Sequence, residues 1–272
     1  MKRVLFIFAI WGVTVMVAFG QGQVRENREV TEFTGINASS MFNITVQRGD
    51  THSLVIEVDA DVLPYVRSEV RDGVLHLSFY GLRIIDQSRS PVTLNATIVM
   101  QNLECVTLSG VGSLTAKDLF TPDRFLFNGS GYNSLSINVN TNQLDINVQG
   151  SSNIEINANV SGRTFFGVTG IANISGNLIT EEVTFRYSGV GNVTLTGSAT
   201  SGTINASGVP TINLIDFPIR HARVLAPGVA NITVNATHTL SINASGVSRV
   251  RYTGTATVYP RNVGTMSNVS RL

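Results

Sequence analysis

Apolar and polar positions along this chain follow two rhythms at once. Over short stretches they alternate, which is the period of a β-strand with one buried face. Over longer distances the alternation itself returns about every twenty residues. One phrase marks the return: SGVGSL at Ser109, SGYNSL at Ser130, SGVGNV at Ser188, SGVPTI at Ser207 and SGVSRV at Ser245. Gly110, Gly131, Gly150, Gly170, Gly189, Gly208, Gly228 and Gly246 follow one another at intervals of 21, 19, 20, 19, 19, 20 and 18 residues. A period that holds near twenty and drifts by a residue or two belongs to stacked coils whose loops absorb the difference.

Numbering each coil from its glycine fixes the inward side. Four residues before it stand Val106, Phe127, Ile146, Phe166, Phe185, Ile204, Val224 and Ile242, all apolar. Four after it stand Leu114, Leu135, Ile154, Ile174, Val193, Ile212, Ile232 and Val250, again all apolar, and six after it only Gly176 breaks an otherwise apolar series. One coil alone cannot bury such a face, so successive coils must stack as parallel strands and close one another's core. The expected fold is therefore all-β: a right-handed parallel β-helix, or solenoid, with coils of about 20 residues. At the bend, glycine answers a need for positive φ or close backbone approach. The hydroxyls just before it, such as Ser130 and Ser188, and the amides three after it, such as Asn153, Asn173 and Asn192, suit turns and can bond their equivalents in the next coil.

Ahead of the repeats, residues 41–47 and 53–59 alternate as half-buried strands, and Pro64 predicts one short helical turn within 59–66. Residues 68–71 and 74–79 flank Asp72-Gly73, a dipeptide suited to a tight hairpin. Residues 81–91 read as a polar loop and 92–100 as a strand leading into the coils. This N-terminal β section, 33–104, is expected to cap or continue the repeats of 105–272, so that 33–272 forms one continuous domain. After Gly264 a polar Asn268 stands where an apolar residue is due, and Pro260 replaces an inward residue; both predict a terminal coil that protects the open edge.

Composition narrows the function classes. Nineteen Lys and Arg against eighteen Asp and Glu leave a formal charge of +1, with no basic footprint for nucleic acid or for an anionic membrane. The first 20 residues read as an export signal: Lys2 and Arg3 precede a 16-residue apolar run, 4–19, and Ala18 and Gly20 offer a small-residue cleavage site before Gln21. That run is short for a membrane span, so no transmembrane segment is expected once the signal is removed. Residues 21–32 read as a polar linker. The expected location is the periplasm, the cell surface or the medium. Cys105 is the sole cysteine and forms no intramolecular disulfide; it reads as a small residue at a strand start.

Motifs for chemistry are sparse. The SGVG phrase lacks the lysine and following helix of a phosphate loop. His52, His76, His221 and His238 match no metal spacing. Asp118, Asp123, Asp145, Glu155, Glu181, Glu182 and Asp216 occupy different positions in different coils, so they build no acid–base pair. No catalytic residue, cofactor or metal is expected. The outward columns are more regular: Thr115, Ser136, Ser175, Thr194 and Thr233 share the fifth position after the glycine. A flat hydroxyl- and amide-rich face of this kind suits glycans or another envelope protein, and a water-facing strand surface accounts for the same residues without a ligand.

FTGINAS at Phe33, VDADVLPYVRSEVRDGVLHLSF from Val58 and TIVMQNLECVTLSGVGSL from Thr97 together resemble the head GIN domain family, autotransporter adhesin-like exported proteins of Bacteroidetes-type bacteria. The resemblance runs from about Phe33 to the C-terminus. It implies an exported, β-solenoid-like fold with no known catalytic residues to carry over. Many members of such a family would carry a lipoprotein cysteine behind the signal, and this chain has none. The reading is a noncatalytic cell-envelope adhesin or scaffold; the alternative is a carbohydrate-active β-helix enzyme, which rests on shared architecture alone.

Overall fold

The computed structural model describes residues 15–16, 22–80, 92–259 and 262–272. The signal reading over 1–20 lies outside them except for a two-residue bridge, β1 (Val15–Met16), whose backbone pairs antiparallel with Glu26 and Arg25. The polar loop of 81–91 and Pro260 lie outside them altogether. The described residues form a β-solenoid of about nine turns.

Seven long strands carry the repeats: β9 (Cys105–Phe120), β10 (Arg124–Val148), β11 (Ser151–Val168), β12 (Ile171–Tyr187), β13 (Val190–Ala206), β14 (Val209–Ala226) and β15 (Asn231–Ala244). Each pairs parallel with the next, and the register aligns like with like: Leu135 with Ile154, Ile154 with Ile174, Ile174 with Val193 and Val193 with Ile212. All sixteen residues expected inward at four before and four after the glycine are 2% exposed or less. Ladders of like side chains give the core its internal order. Phe166 and Phe185, for example, stack with ring centroids 4.9 Å apart and planes 7° from parallel.

At the corners, glycine answers close approach between coils, with positive φ added at some of them. Gly131 has φ +96° and a Cβ there would lie 2.2 Å from the Gly110 carbonyl oxygen, whereas Gly170 does not need that region and is required by packing alone, a Cβ lying 1.9 Å from the Gly150 carbonyl oxygen. The neighbouring polar groups bond as the sequence suggests. Ser188 Oγ donates to the Val168 carbonyl at 3.1 Å, and Asn173 Nδ2 donates to Asn153 Oδ1 at 3.0 Å.

The N-terminal section does more than precede the repeats. β3 (Gly35–Ser40) and β4 (Phe42–Arg48) form a coil in register with the glycine corners, Ile36 beside Val106, Ile44 beside Leu114 and Ser40 beside Gly110. Ser40 supplies the corner conformation with φ +84°. The next turn outward is built by residues that come later in the chain, β7 (Val74–Phe79) on β3 and β8 (Leu94–Met100) on β4, both parallel. Antiparallel strands close this end: β5 (Ser53–Asp59) on β8, β6 (Val66–Arg71) on β7, and β2 (Gln23–Arg28) on β5. Reversing strand direction ends the parallel ladder and keeps its open edge from templating another chain. The helical turn at Leu63–Tyr65 and the Asp72-Gly73 hairpin form as expected, with φ +52° and +73° at the hairpin residues.

Residues 23–28 differ from the expected linker. Val24, Glu26 and Arg28 alternate toward the protein, but two of the three are charged, which hides the strand from an apolar pattern. Glu26 Oε2 and Arg28 Nη2 pair at 3.0 Å, and Arg28 Nη1 also donates to the Val66 carbonyl and to Ser68 Oγ. At the other end β16 (Arg249–Thr253), β17 (Thr257–Val258), β18 (Asn262–Val263) and β19 (Asn268–Arg271) are short; β16 still buries Val250, whereas β18 and β19 are mostly exposed.

One buried polar group gives a direct test of the core. Tyr187 is 1% exposed, and its hydroxyl donates to the Ala172 and Val190 carbonyls in space left open by Gly191. Burial pushes the phenol from 10 up to about 12. Its neutral form is therefore favoured by folding. That contribution to stability is complete below pH 10 and disappears as the pH rises toward 12. Absorbance titration at 295 nm should show one tyrosine ionising late, and Tyr187→Phe should remove that phase while costing about 1 kcal/mol.

Candidate functional site

The five hydroxyl residues singled out in the sequence fall in one line on the outer side of the strands that follow the corner. The structure extends that line at both ends: Thr97, Thr45, Thr115, Ser136, Glu155, Ser175, Thr194, Asn213, Thr233, Arg251 and Ser270 are consecutive register partners. Thr115 and Ser136 are neighbours, as are Ser175 and Thr194. Glu155 separates the two pairs and accepts a hydrogen bond from Ser136 Oγ at 3.0 Å. Thr233 does not serve as a surface contact: at 8% exposure it is packed between Asn213 and Arg251. Strand spacing sets the step along the row at about 4.8 Å.

Amide columns flank this row on both sides. Toward the corner, Asn192 Nδ2 donates to Asn173 Oδ1 at 3.1 Å and Asn173 to Asn153 in turn; away from it, Asn157 Nδ2 donates to Asn138 Oδ1 at 3.2 Å. These amides bond one another and stiffen the face. The hydroxyls of Thr115, Ser175 and Thr194 form no side-chain hydrogen bond with other described residues, so their donors and acceptors face outward. The face is flat, with hydroxyl and amide side chains on either side of Glu155, which stands near the middle of the row, and with Arg249 and Arg251 toward its C-terminal end.

An apolar ridge borders it. The residue after each corner glycine points out, and Val111, Tyr132, Ile171, Val190, Val209, Val229 and Val247 are each at least 50% exposed. Across the ridge, the outer face of the strands before the corner holds two grooves that sequence reading missed. One, of about 750 Å³, lies at the N-terminal end beside Asn37, Tyr65, Arg67 and His76; the other, of about 540 Å³, centres on Gly167. The signal for the second was a glycine occupying the column that Asn128, Asn147 and Asn205 occupy in other coils.

Chemically reactive groups are placed apart. Asp145 is 5% exposed and held by Arg124 at 2.7 Å, Gln143 at 2.6 Å and Arg163 at 3.7 Å. Asp118 accepts from the Arg48 backbone N–H at 2.8 Å. Burial pushes the Cys105 thiol up, which leaves less thiolate at neutral pH. His221 and His238, distant from a metal spacing in sequence, meet edge to face with centroids 5.0 Å apart, and His221 Nδ1 bonds Thr239 Oγ1 at 2.9 Å. Among the described residues no three His, Cys, Asp or Glu gather closely enough to hold a metal ion. Rows of hydroxyls, amides and isolated cations give these surfaces hydrogen-bond donors and acceptors for a ligand.

The family model described as "Putative auto-transporter adhesin, head GIN domain" matches residues 32–175 and 163–256. The chain belongs to the head GIN domain family. The motif behind that name, Gly35-Ile36-Asn37, is the opening of β3, where Ile36 is fully buried in the column of Val106 and Leu75. Among solved structures, the head GIN chain is similar to a "putative adhesin" of Parabacteroides distasonis, with 19% identity, 92% of this chain and 97% of that one covered and a TM-score of 0.63. A "putative adhesin" of Parabacteroides merdae gives 18%, 92%, 96% and 0.64. A "Putative lipid binding protein" of Parabacteroides distasonis gives 18%, 92%, 97% and 0.62. At these identities the likeness is one of fold. No curated protein matches the head GIN chain. Among its described residues no helix is long and apolar enough to cross a membrane.

Proposed function

We propose that this adhesin-family protein is exported to the cell envelope and acts there without catalysis, using its flat hydroxyl and amide face to bind glycans or another envelope protein. Membership of the adhesin family supports the general role, and the apolar run of residues 4–19 supports export. The observation that carries the choice of surface is the row of register partners from Thr97 to Thr194, in which hydroxyls, interrupted once by Glu155, are held at strand spacing between amide columns. A stiff, repeating surface loses little conformational freedom when it meets an extended partner.

Glycan-array binding beside a polysaccharide-cleavage assay tests this reading. Binding without cleavage is expected, and replacing Ser175 and Thr194 together by lysine should weaken it about tenfold or more while leaving the melting temperature within about 2 °C, since both side chains are exposed. Cleavage that vanishes when the carboxylates of a single groove are changed to amides would replace the adhesin with a carbohydrate-active enzyme.

A further inference from the structure

The groove at Gly167 lies on the other side of the apolar ridge and has a different character from the flat face. Gly167 stands in register between Asn147 and Arg186 with no side chain of its own, and the Phe165 ring and Asn147 Oδ1 lean over it to line the groove. A Cβ there would meet the Phe165 ring edge at 2.8 Å and Asn147 Oδ1 at 3.0 Å, so any side chain at 167 must displace the ring and the amide that line the groove. Gly167 also interrupts an amide ladder. Asn147 Nδ2 donates to Asn128 Oδ1 at 3.2 Å, and at the next column position the glycine offers no amide to continue the chain of bonds. Asn128, Asn147 and Asn205 all line the groove, and Asn147 Oδ1, Asn128 Nδ2 and the Asn205 amide form no side-chain hydrogen bond with other described residues.

Arg186 supplies the charge. Its guanidinium lies over the Phe165 ring, 5.5 Å from the centroid, which holds the planar group in place and leaves its N–H edges open. The nearest acidic column position is Asp145, beside Phe165 in register, but that carboxylate is already engaged by Arg124, Arg163 and Gln143. Arg186 therefore has no carboxylate partner among the described residues. A guanidinium stacked on an aromatic ring, beside amides that keep spare donors and acceptors, matches one ligand chemistry: vicinal hydroxyls for the amides and a planar carboxylate for the arginine.

We propose that this groove is a saccharide site for an acidic sugar, with Arg186 binding the sugar carboxylate and Asn128, Asn147 and Asn205 binding its hydroxyls above Gly167. Uronates and sialic acids share that chemistry. The site is separate from the flat face, and neither reading depends on the other.

Calorimetric titration of the mature protein with tetragalacturonate and with sialyllactose, each beside its neutral counterpart, galactotetraose or lactose, tests the assignment. At least one acidic ligand should bind about tenfold or more tightly than its neutral counterpart, and which one it is identifies the source. Arg186→Met and Gly167→Ser should each weaken binding about tenfold or more with the melting temperature retained, whereas the Ser175 and Thr194 lysine pair should leave it unchanged. Failure of both acidic ligands to bind at millimolar concentration would overturn the site. So would equal affinity for the neutral sugars, or binding that survives both groove variants.

Discussion

Ile146→Asp is expected to abolish the folded state, while Asn147→Asp one residue along is tolerated. Ile146 is fully buried in the column that runs through Phe166, Phe185, Ile204 and Val224. A carboxylate placed there has no cation to meet and must either ionise in an apolar interior or take up a proton, and the penalty is several kcal/mol before the lost packing is counted. Whole domains are stable by only about 5–15 kcal/mol, and each coil of a solenoid depends on its neighbours. The damage would therefore spread to the coils on either side. Asn147 points outward and loses only its bond to Asn128. Circular dichroism and size-exclusion chromatography of the two variants give the comparison. Equal behaviour would refute the assignment of inward and outward positions on which the whole fold rests.

That assignment was legible because burial in a solenoid is periodic. Eight coils repeat the same demand, so sixteen apolar residues in two columns speak with one voice, and no single exception such as Gly176 obscures them. The first coil was not legible for a small reason: Ser40 takes the place of the corner glycine, so SSMFNI at Ser39 was not recognised as a return of the SGVGSL phrase. Once β3 and β4 are placed in the ladder, Thr45 and Thr97 join the hydroxyl row. The order of the outer turns could not be read at all. β7 and β8 stack outside β3 and β4 although they follow them in the chain, and apolar alternation carries no information on which strand a given face will meet. β2 escaped for another reason, since its inward positions include an ion pair in place of aliphatic side chains.

The candidate surfaces were legible to the extent that they are columns. The sequence places Thr115, Ser136, Ser175 and Thr194 on one face, but it does not show that Thr233 is enclosed by its neighbours. Nor does it show that Phe165 and Arg186 meet beside Gly167 and line a groove there. Both depend on contacts between coils about twenty residues apart, where a residue's accessibility is set by what stands directly before and after it in the stack. Arg186 illustrates the point: its ring partner, Phe165, is 21 residues away in sequence and adjacent in space.

Gly170→Ala is expected to be far more damaging than Gly73→Ala, although each adds one methyl group. At Gly73, φ is +73° and nothing lies within 4 Å of the new Cβ, so the cost is that of an L-residue in the left-handed region, about 1–2 kcal/mol. At Gly170 the new Cβ would sit 1.9 Å from the Gly150 carbonyl oxygen and 2.8 Å from that of Gln149. These are backbone atoms of the adjacent coil and cannot rotate aside. The same Gly150 oxygen accepts the Ile171 N–H at 2.8 Å, so relieving the clash means separating the coils where they are bonded. Overpacking alone costs about 1–3 kcal/mol, and a buried amide left without its acceptor adds about 1–3 more. Thermal melting should show a small shift for Gly73→Ala and a large one, or no folded protein, for Gly170→Ala. Limited proteolysis of the latter should open the chain near residues 149–171, where the strain concentrates. A corner that accepted alanine at Gly170 without loss would mean that its glycine is not required by the stacking of coils.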